Sequence, residues 1–314
     1  MKLVVPPTEI ALYELRALKT VAVADGKLDD LEYQMLMSMQ TYIFKTNVSI
    51  DELKLITPQE LSSKIINREF CKQLIHYCIL ISIIGTKVTR SKTRMVIEFA
   101  KALKINDCAV QTLKHLANNR LALVRFNVFR HGFIGPKVMD TLRNEGIGGM
   151  IPTLKYLMSK GDRKTAARYQ KLEFYPEGSL GKELYQHLRK HGFNLPGEEE
   201  GTPEIFLVHD CVHILAGYHT SMSEEAVISA FQAGFLDKDP FWGLLFTLLQ
   251  FHLGIKVLTA SFTSRNEVEP ESLFKALERG THVKVNLSKN WNPWSVVERQ
   301  VEDLRKEYNI PPRT

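Results

Sequence analysis

His209-Asp210-Cys211-Val212-His213, followed by Glu225, places two imidazoles and two carboxylates within 17 residues. Helical geometry can bring such groups together. Positions i and i+4 of an α-helix differ by about 40° around the axis, so His209 and His213 share a face. Imidazole nitrogens and carboxylate oxygens suit Zn²⁺, and also Mn²⁺ or Fe²⁺. Asp210 is turned by about 100° from His209. Three roles are open to it: a fourth ligand, a group that orients a ligand, or a base toward water at the metal.

The surrounding residues must hold this set in place. Thr202 predicts an N-cap and Pro203 the first helical residue, with the helix running through Glu204 to Ala216. Phe206, His209, His213 and Ala216 then form one stripe, and Gly217 is the stop. Tyr218-His219-Thr220-Ser221 reads as a turn, with His219 a turn residue. Ser221 and Glu224 read as a capping box for a second helix. That gives Glu224 a structural task and leaves Glu225 in the first turn, free to face the imidazoles.

A chain of 314 residues is natural for two domains, and 44% hydrophobic content suffices for sizeable cores. Cys71, Cys78, Cys108 and Cys211 contain no C-x-x-C pair and read as reduced thiols of a cytoplasmic protein. Lys2 and only Leu3-Val4-Val5 before Pro6-Pro7 predict no signal peptide. The most apolar run, Phe241 to Phe262, is interrupted by Gln250, His252 and Lys256 and predicts a buried core helix. No Gly-rich dinucleotide loop and no P-loop is found.

The net charge of +6 is uneven: residues 120–171 hold 11 Lys and Arg against 3 Asp and Glu. Phe126, Phe129, Phe133, Tyr156 and Tyr169 are interleaved with these cations. The stretch reads as a solvated connector or as a patch for anionic headgroups at a membrane surface. No nucleic-acid-binding motif accompanies the charge, so nucleic acid is not an expected partner.

Helical spacing dominates throughout, predicting an all-α fold of two helical domains, residues 1–119 and 120–314. Glu9 to Ala24 carries apolar residues at helical spacing, and Ala24-Asp25-Gly26-Lys27-Leu28-Asp29-Asp30-Leu31-Glu32 makes an acidic turn into a second helix. An echo follows about sixty residues later: apolar Ile79 to Ile84, a turn at Gly85-Thr86-Lys87-Val88-Thr89, and a helix from Arg94 to Leu103. This half resembles the TerB-like family of small helical domains associated with tellurite resistance, through Ala24-Asp25-Gly26, Leu28 and Glu32. The resemblance implies acidic turns able to hold a divalent cation, here with Asp25, Asp29 and Glu32. In the second repeat Gly85, Thr86 and Lys92 stand where Asp, Gly and Glu would be expected. An Asp-Gly turn with a capping Glu is the simpler reading.

Residues 120 to 312 resemble the coenzyme Q biosynthesis protein four family, zinc-binding proteins of ubiquinone biosynthesis. The motif is H-D-x-x-H, eleven residues, then E, and His209, Asp210, His213 and Glu225 match all four positions. Flanking likeness lies in Tyr175-Pro176-Glu177-Gly178-Ser179-Leu180-Gly181 with Tyr185 and Leu188. It continues in Ala276-Leu277-Glu278-Arg279-Gly280, Trp291, Trp294, Leu304-Arg305-Lys306-Glu307 and Ile310. The resemblance implies that all four motif residues ligate zinc, that the protein sits peripherally at a membrane, and that it forms dimers. It also implies a hydrophobic cleft for a polyprenyl tail, which the Phe241 to Phe262 run would line. The implied partners are a polyprenyl lipid or quinone precursor, the other quinone-biosynthesis proteins and the inner-membrane surface. The implied activity is that of a lyase removing the ring carboxylate of a polyprenyl-benzoate, with hydroxylation at that carbon.

Two rivals stand beside this. A lipid-binding scaffold would use the metal only to pin two helices. A phosphohydrolase of the HD type also uses adjacent His-Asp, but needs a further His upstream, His187 or His191, and an Asp downstream, and leaves Glu225 without a role.

Overall fold

A computed structural model describes residues 3–85, 87–132, 161–236, 239–257, 263–289 and 291–313. Among these the protein is all-α, with two isolated bridges, Ser179 to Gln300 and Leu253 to Arg265, and no strand ladder. The helices in its first part are α1 (Thr8–Ala22), α2 (Asp30–Met39), α3 (Pro58–Lys64), α4 (Arg68–Ile84), α5 (Arg90–Ala102), α6 (Cys108–Ala117) and α7 (Leu121–His131). Then come α8 (Arg163–Gln170), α9 (Leu180–Lys190), α10 (Leu207–Ala216), α11 (Met222–Phe235), α12 (Phe241–Thr247), α13 (Pro270–Thr281) and α14 (Val301–Glu307).

The chain divides into two compact units that are not consecutive in sequence. One comprises Met1–Gly132 and Ser229–Thr281, the other Phe133–Ile228 and His282–Thr314. This differs from a single division between residues 119 and 120. The reason lies in packing: α13 lies on α2, and α12 on α4 and α7, so the 229–281 stretch is part of the first core.

In the first unit, side-chain caps set where helices begin. Asp29 accepts from the Glu32 amide at 2.8 Å and the Glu32 carboxylate accepts from the Asp29 amide at 3.2 Å, a reciprocal capping box. Thr57, Asn67, Thr89 and Asp107 cap α3, α4, α5 and α6 through their side chains. The sixty-residue echo is visible in the helix starts, Thr8 against Arg68 and Asp30 against Arg90. Asp29 and Thr89 hold the same capping position in the two hairpins. Helix α4 is almost wholly buried, from Leu74 through Ile84, and contacts α1, α2, α5 and α6.

The apolar run from Phe241 does not form one helix to Phe262. Helix α12 passes into a π-turn at Leu248–His252 and ends beyond Leu253, where Gly254 takes φ +64°. Gln250 then accepts from the Val257 amide at 2.9 Å, fixing the chain as it leaves. Residues 258–262 lie outside the described residues. Phe241, Trp242, Leu244, Leu245, Leu248 and Leu249 are buried in the first unit, so core packing accounts for their apolar character. The acidic turn is likewise engaged: the Lys92 ammonium pairs with Glu32 and, at 3.2 Å, with Asp25.

The second unit packs α9 on α10 and α10 on α14. Its core includes Tyr169, Leu172, Leu184, Leu188, Cys211, Val212, Leu215, Leu287 and Leu304. The turn before α9 is tied to the turn before α14. Leu180 N donates to Arg299 O at 2.9 Å and Val301 N donates to Gly178 O at 2.9 Å. Most of the basic 120–171 segment, residues 133–160, lies outside the described residues. No described helix is long and apolar enough to cross a membrane. Cys71, Cys78, Cys108 and Cys211 are free thiols.

Candidate metal centre

The chain enters α10 differently from the expected Thr202 cap. Pro203 precedes a 3-10 turn, Glu204–Phe206, and the α-helix starts at Leu207 without a side-chain cap. The Thr202 amide is committed to Asn194 O at 2.9 Å, and Glu204 is drawn to Arg168 and to Tyr169. These tertiary contacts override the local capping signal. The other end follows expectation: Gly217 takes φ +73° and its amide returns to His213 O at 2.8 Å. Arg305 donates to Leu215 O and Ile214 O at 3.0 and 2.8 Å, satisfying carbonyls the helix end leaves over.

Ser221 caps α11 by accepting from the Glu224 amide at 3.3 Å. Only half of the expected box forms. The Glu224 carboxylate turns instead to the His219 amide at 3.1 Å and to Arg313. Glu224 thus has a structural task, and Glu225 faces α10.

His209, His213 and Glu225 converge. The two Nε2 atoms lie 3.1 Å apart; His209 Nε2 is 3.1 Å from Glu225 Oε2, and His213 Nε2 is 3.1 Å from Glu225 Oε1. The rings stand 88° to each other with centroids 4.7 Å apart. One ligand atom from each residue falls within 4.8 Å of the others. A tetrahedral centre with bonds of about 2.0–2.1 Å separates its ligand atoms by about 3.3 Å, so the trio has the spacing a divalent ion requires.

The electrostatics fit the same use. His213 Nδ1 lies 3.2 Å from Tyr218 O, which as acceptor fixes the proton on Nδ1 and leaves the Nε2 lone pair toward Glu225 and His209. Burial works to raise the Glu225 carboxyl, but the two imidazoles outweigh it and hold it down to about 2. The carboxylate is therefore ionised and able to ligate at neutral pH. His213 is 1% exposed, whereas His209 and Glu225 are 28% and 22% exposed, so the cluster is reached from their side.

Asp210 stands apart from this trio. It is not among the grouped ligand atoms, and burial lifts its carboxyl to about 6 against the pull of His209 and His213. The 100° turn between neighbours on a helix is the cause.

Two histidines from α9 complete the surroundings. The His187 ring lies 5.6 Å from that of His213, and burial, followed by His213, pushes it down to about 4. His191 Nδ1 meets Thr220 Oγ1 at 3.0 Å. The i, i+4 spacing of these two on an amphipathic helix was the available sequence signal, but it named no partner. No known protein family matches the chain, and no curated protein shows significant similarity to it.

Proposed function

We propose that the second unit carries a divalent-metal centre, zinc first and Mn²⁺ or Fe²⁺ next, held by His209, His213 and Glu225. The observation that carries this is the convergence of the three side chains: the two Nε2 atoms are 3.1 Å apart, and each is 3.1 Å from a different oxygen of Glu225. Two imidazoles and one carboxylate form the donor set of hydrolytic zinc sites and of non-haem iron sites, both of which keep a position open for substrate. A bound ion supplies a Lewis acid for a carboxylate or phenolate oxygen. Asp210, beside the ligands, orients them in this reading.

The motif H-D-x-x-H with Glu225 beyond it supports a more specific reading: a protein of ubiquinone or related prenyl-quinone assembly. It binds a polyprenyl lipid peripherally at a membrane and acts in decarboxylation of a polyprenyl-benzoate. The HD-type phosphohydrolase is disfavoured, because Glu225, which has no role there, is central here and Asp210 is not grouped. A scaffold whose metal pins α10 to α11 is favoured by the near-complete burial of His213.

Elemental analysis of purified protein with mass spectrometry of co-purifying lipid tests the binding reading. About one metal ion per chain and a polyprenyl species support it. Metal-dependent turnover of a polyprenyl-hydroxybenzoate, lost in His213→Ala, separates enzyme from scaffold. Metal-free protein with full stability and no lipid overturns the proposal.

A further inference from the structure

Five of the ten histidines lie between residues 187 and 219. Helix α9 carries His187 and His191 at the same i, i+4 spacing as His209 and His213 on α10, and the two helices pack together. His191 has a local explanation in Thr220. His187 has none. Its Nε2 is buried and lacks any hydrogen-bond partner, although its ring lies 5.6 Å from that of His213 at a tilt of 30° and 4.9 Å from that of His191. Buried polar atoms without partners are rare in folded proteins and call for a missing partner.

The distance decides what that partner is. His187 is outside the group whose ligand atoms fall within 4.8 Å of one another, so it stands further out than a direct ligand. A group held by the ion, not the ion itself, is the partner that fits this distance. We propose that His187 contacts the exogenous ligand of the centre, its Nε2 hydrogen-bonding to an oxygen of an aryl carboxylate, phenol or hydroxamate group. This rests on the metal reading above. It makes α9 a ligand-recognition element and explains why an imidazole, not an apolar side chain, fills the space beside His213.

The test uses the full chain loaded with Co²⁺ and titrated with benzohydroxamate, an aromatic oxygen-donor chelator, followed through the visible absorption of the ion. The unaltered protein takes up Co²⁺ and its spectrum shifts with the probe. His187→Leu keeps its Co²⁺ but binds benzohydroxamate about tenfold more weakly, as for one lost hydrogen bond. His187→Gln, which retains a hydrogen-bonding group, recovers most of that loss. Unchanged probe affinity in His187→Leu overturns the proposal. So does loss of Co²⁺ in both variants, which would make His187 a ligand or a structural residue. No spectral response of the unaltered protein to the probe means a closed shell and also overturns it. Failure of the unaltered protein to take up Co²⁺ sinks the metal reading and this one together.

Discussion

Lys92 and Glu32 occupy the same place in two successive helical hairpins, and they pair with each other. Each is the third residue of its helix, after the caps Thr89 and Asp29. Glu32 is 0% exposed and Lys92 3%, and Asp25 also meets the ammonium. An internal cation thus sits among the carboxylates of the acidic turn.

Removing one partner strands the other. Lys92→Met is expected to cost about 3 kcal/mol, because it takes the cation from a buried carboxyl that burial already raises above its ordinary value. The double variant Glu32→Leu with Lys92→Met recovers most of that loss. Urea unfolding of the three proteins checks it; equal stability of Lys92→Met and the unaltered chain would refute the pairing.

His76 gives the first unit a dependence on pH. It is 2% exposed, with Nε2 2.8 Å from Asp107 Oδ2 and Nδ1 3.2 Å from Asp239 Oδ2; Lys72 lies 3.5 Å from Asp239. Burial lowers the imidazole, but the two carboxylates outweigh it and leave it raised from 6.5. Both aspartates are lowered from 3.8, His76 outweighing their burial. The His76 contribution is complete below pH 6.5 and lost as pH rises through the raised value. The carboxylate contribution is present above pH 3.8 and lost as pH falls through the lowered values. Unfolding midpoints should therefore fall between about pH 5.5 and about pH 8.5, and less steeply in His76→Phe. Parallel slopes for the two proteins would contradict this.

Glu14 is 0% exposed, and neither carboxyl oxygen has a hydrogen-bond partner. Burial raises it well above 4.5, so it is carried as the neutral acid. Its stability contribution is complete below pH 4.5 and lost as pH rises toward the raised value. Glu14→Met is expected to stabilise by about 1–3 kcal/mol near neutrality. The gain should shrink toward pH 4.5, and thermal unfolding at several pH values would show whether it does.

Metal affinity should rank the motif residues. His213→Ala abolishes stoichiometric binding, whereas Asp210→Asn retains one ion per chain with affinity reduced about 10–100-fold, the size of an orienting effect. Competition with a chromogenic chelator measures both. Equal losses in the two variants would restore Asp210 as a direct ligand.

Arg313 grips the turn between α10 and α11. It donates to Glu224 Oε1 and Oε2 at 2.6 and 2.7 Å and to Gly217 O at 3.1 Å, with its guanidinium 4.7 Å from the Tyr218 ring centre. Tyr218 O in turn holds His213. Arg313→Ala should weaken metal binding about tenfold while costing only about 1 kcal/mol of stability. Calorimetric titration with Zn²⁺ against urea unfolding separates the two effects.

The trio was legible because a helix repeats every 3.6 residues, which commits His209 and His213 to one face and Asp210 to another. Gly217 and the Ser221–Glu224 signal were readable as local backbone chemistry. The start of α10 was not, since Asn194 and Arg168, neither adjacent in sequence, decide it. The end of α12 depended on the Gln250 side chain reaching Val257. Hydropathy alone could not tell such a break from a continued helix. The role of His187 needs the packing of α9 on α10, which spacing along one helix never reveals.

The interleaved order of the two units governs how the protein is made. The core around α2 and α4 lacks α12 and α13 until the ribosome has passed residue 281, and all of 133–228 is synthesised in between. The faces of α2 and α4 that α13 and α12 cover therefore lack those partners through the synthesis of a whole intervening segment. Such long-range closure is slow and leaves a nascent chain open to aggregation until it is complete.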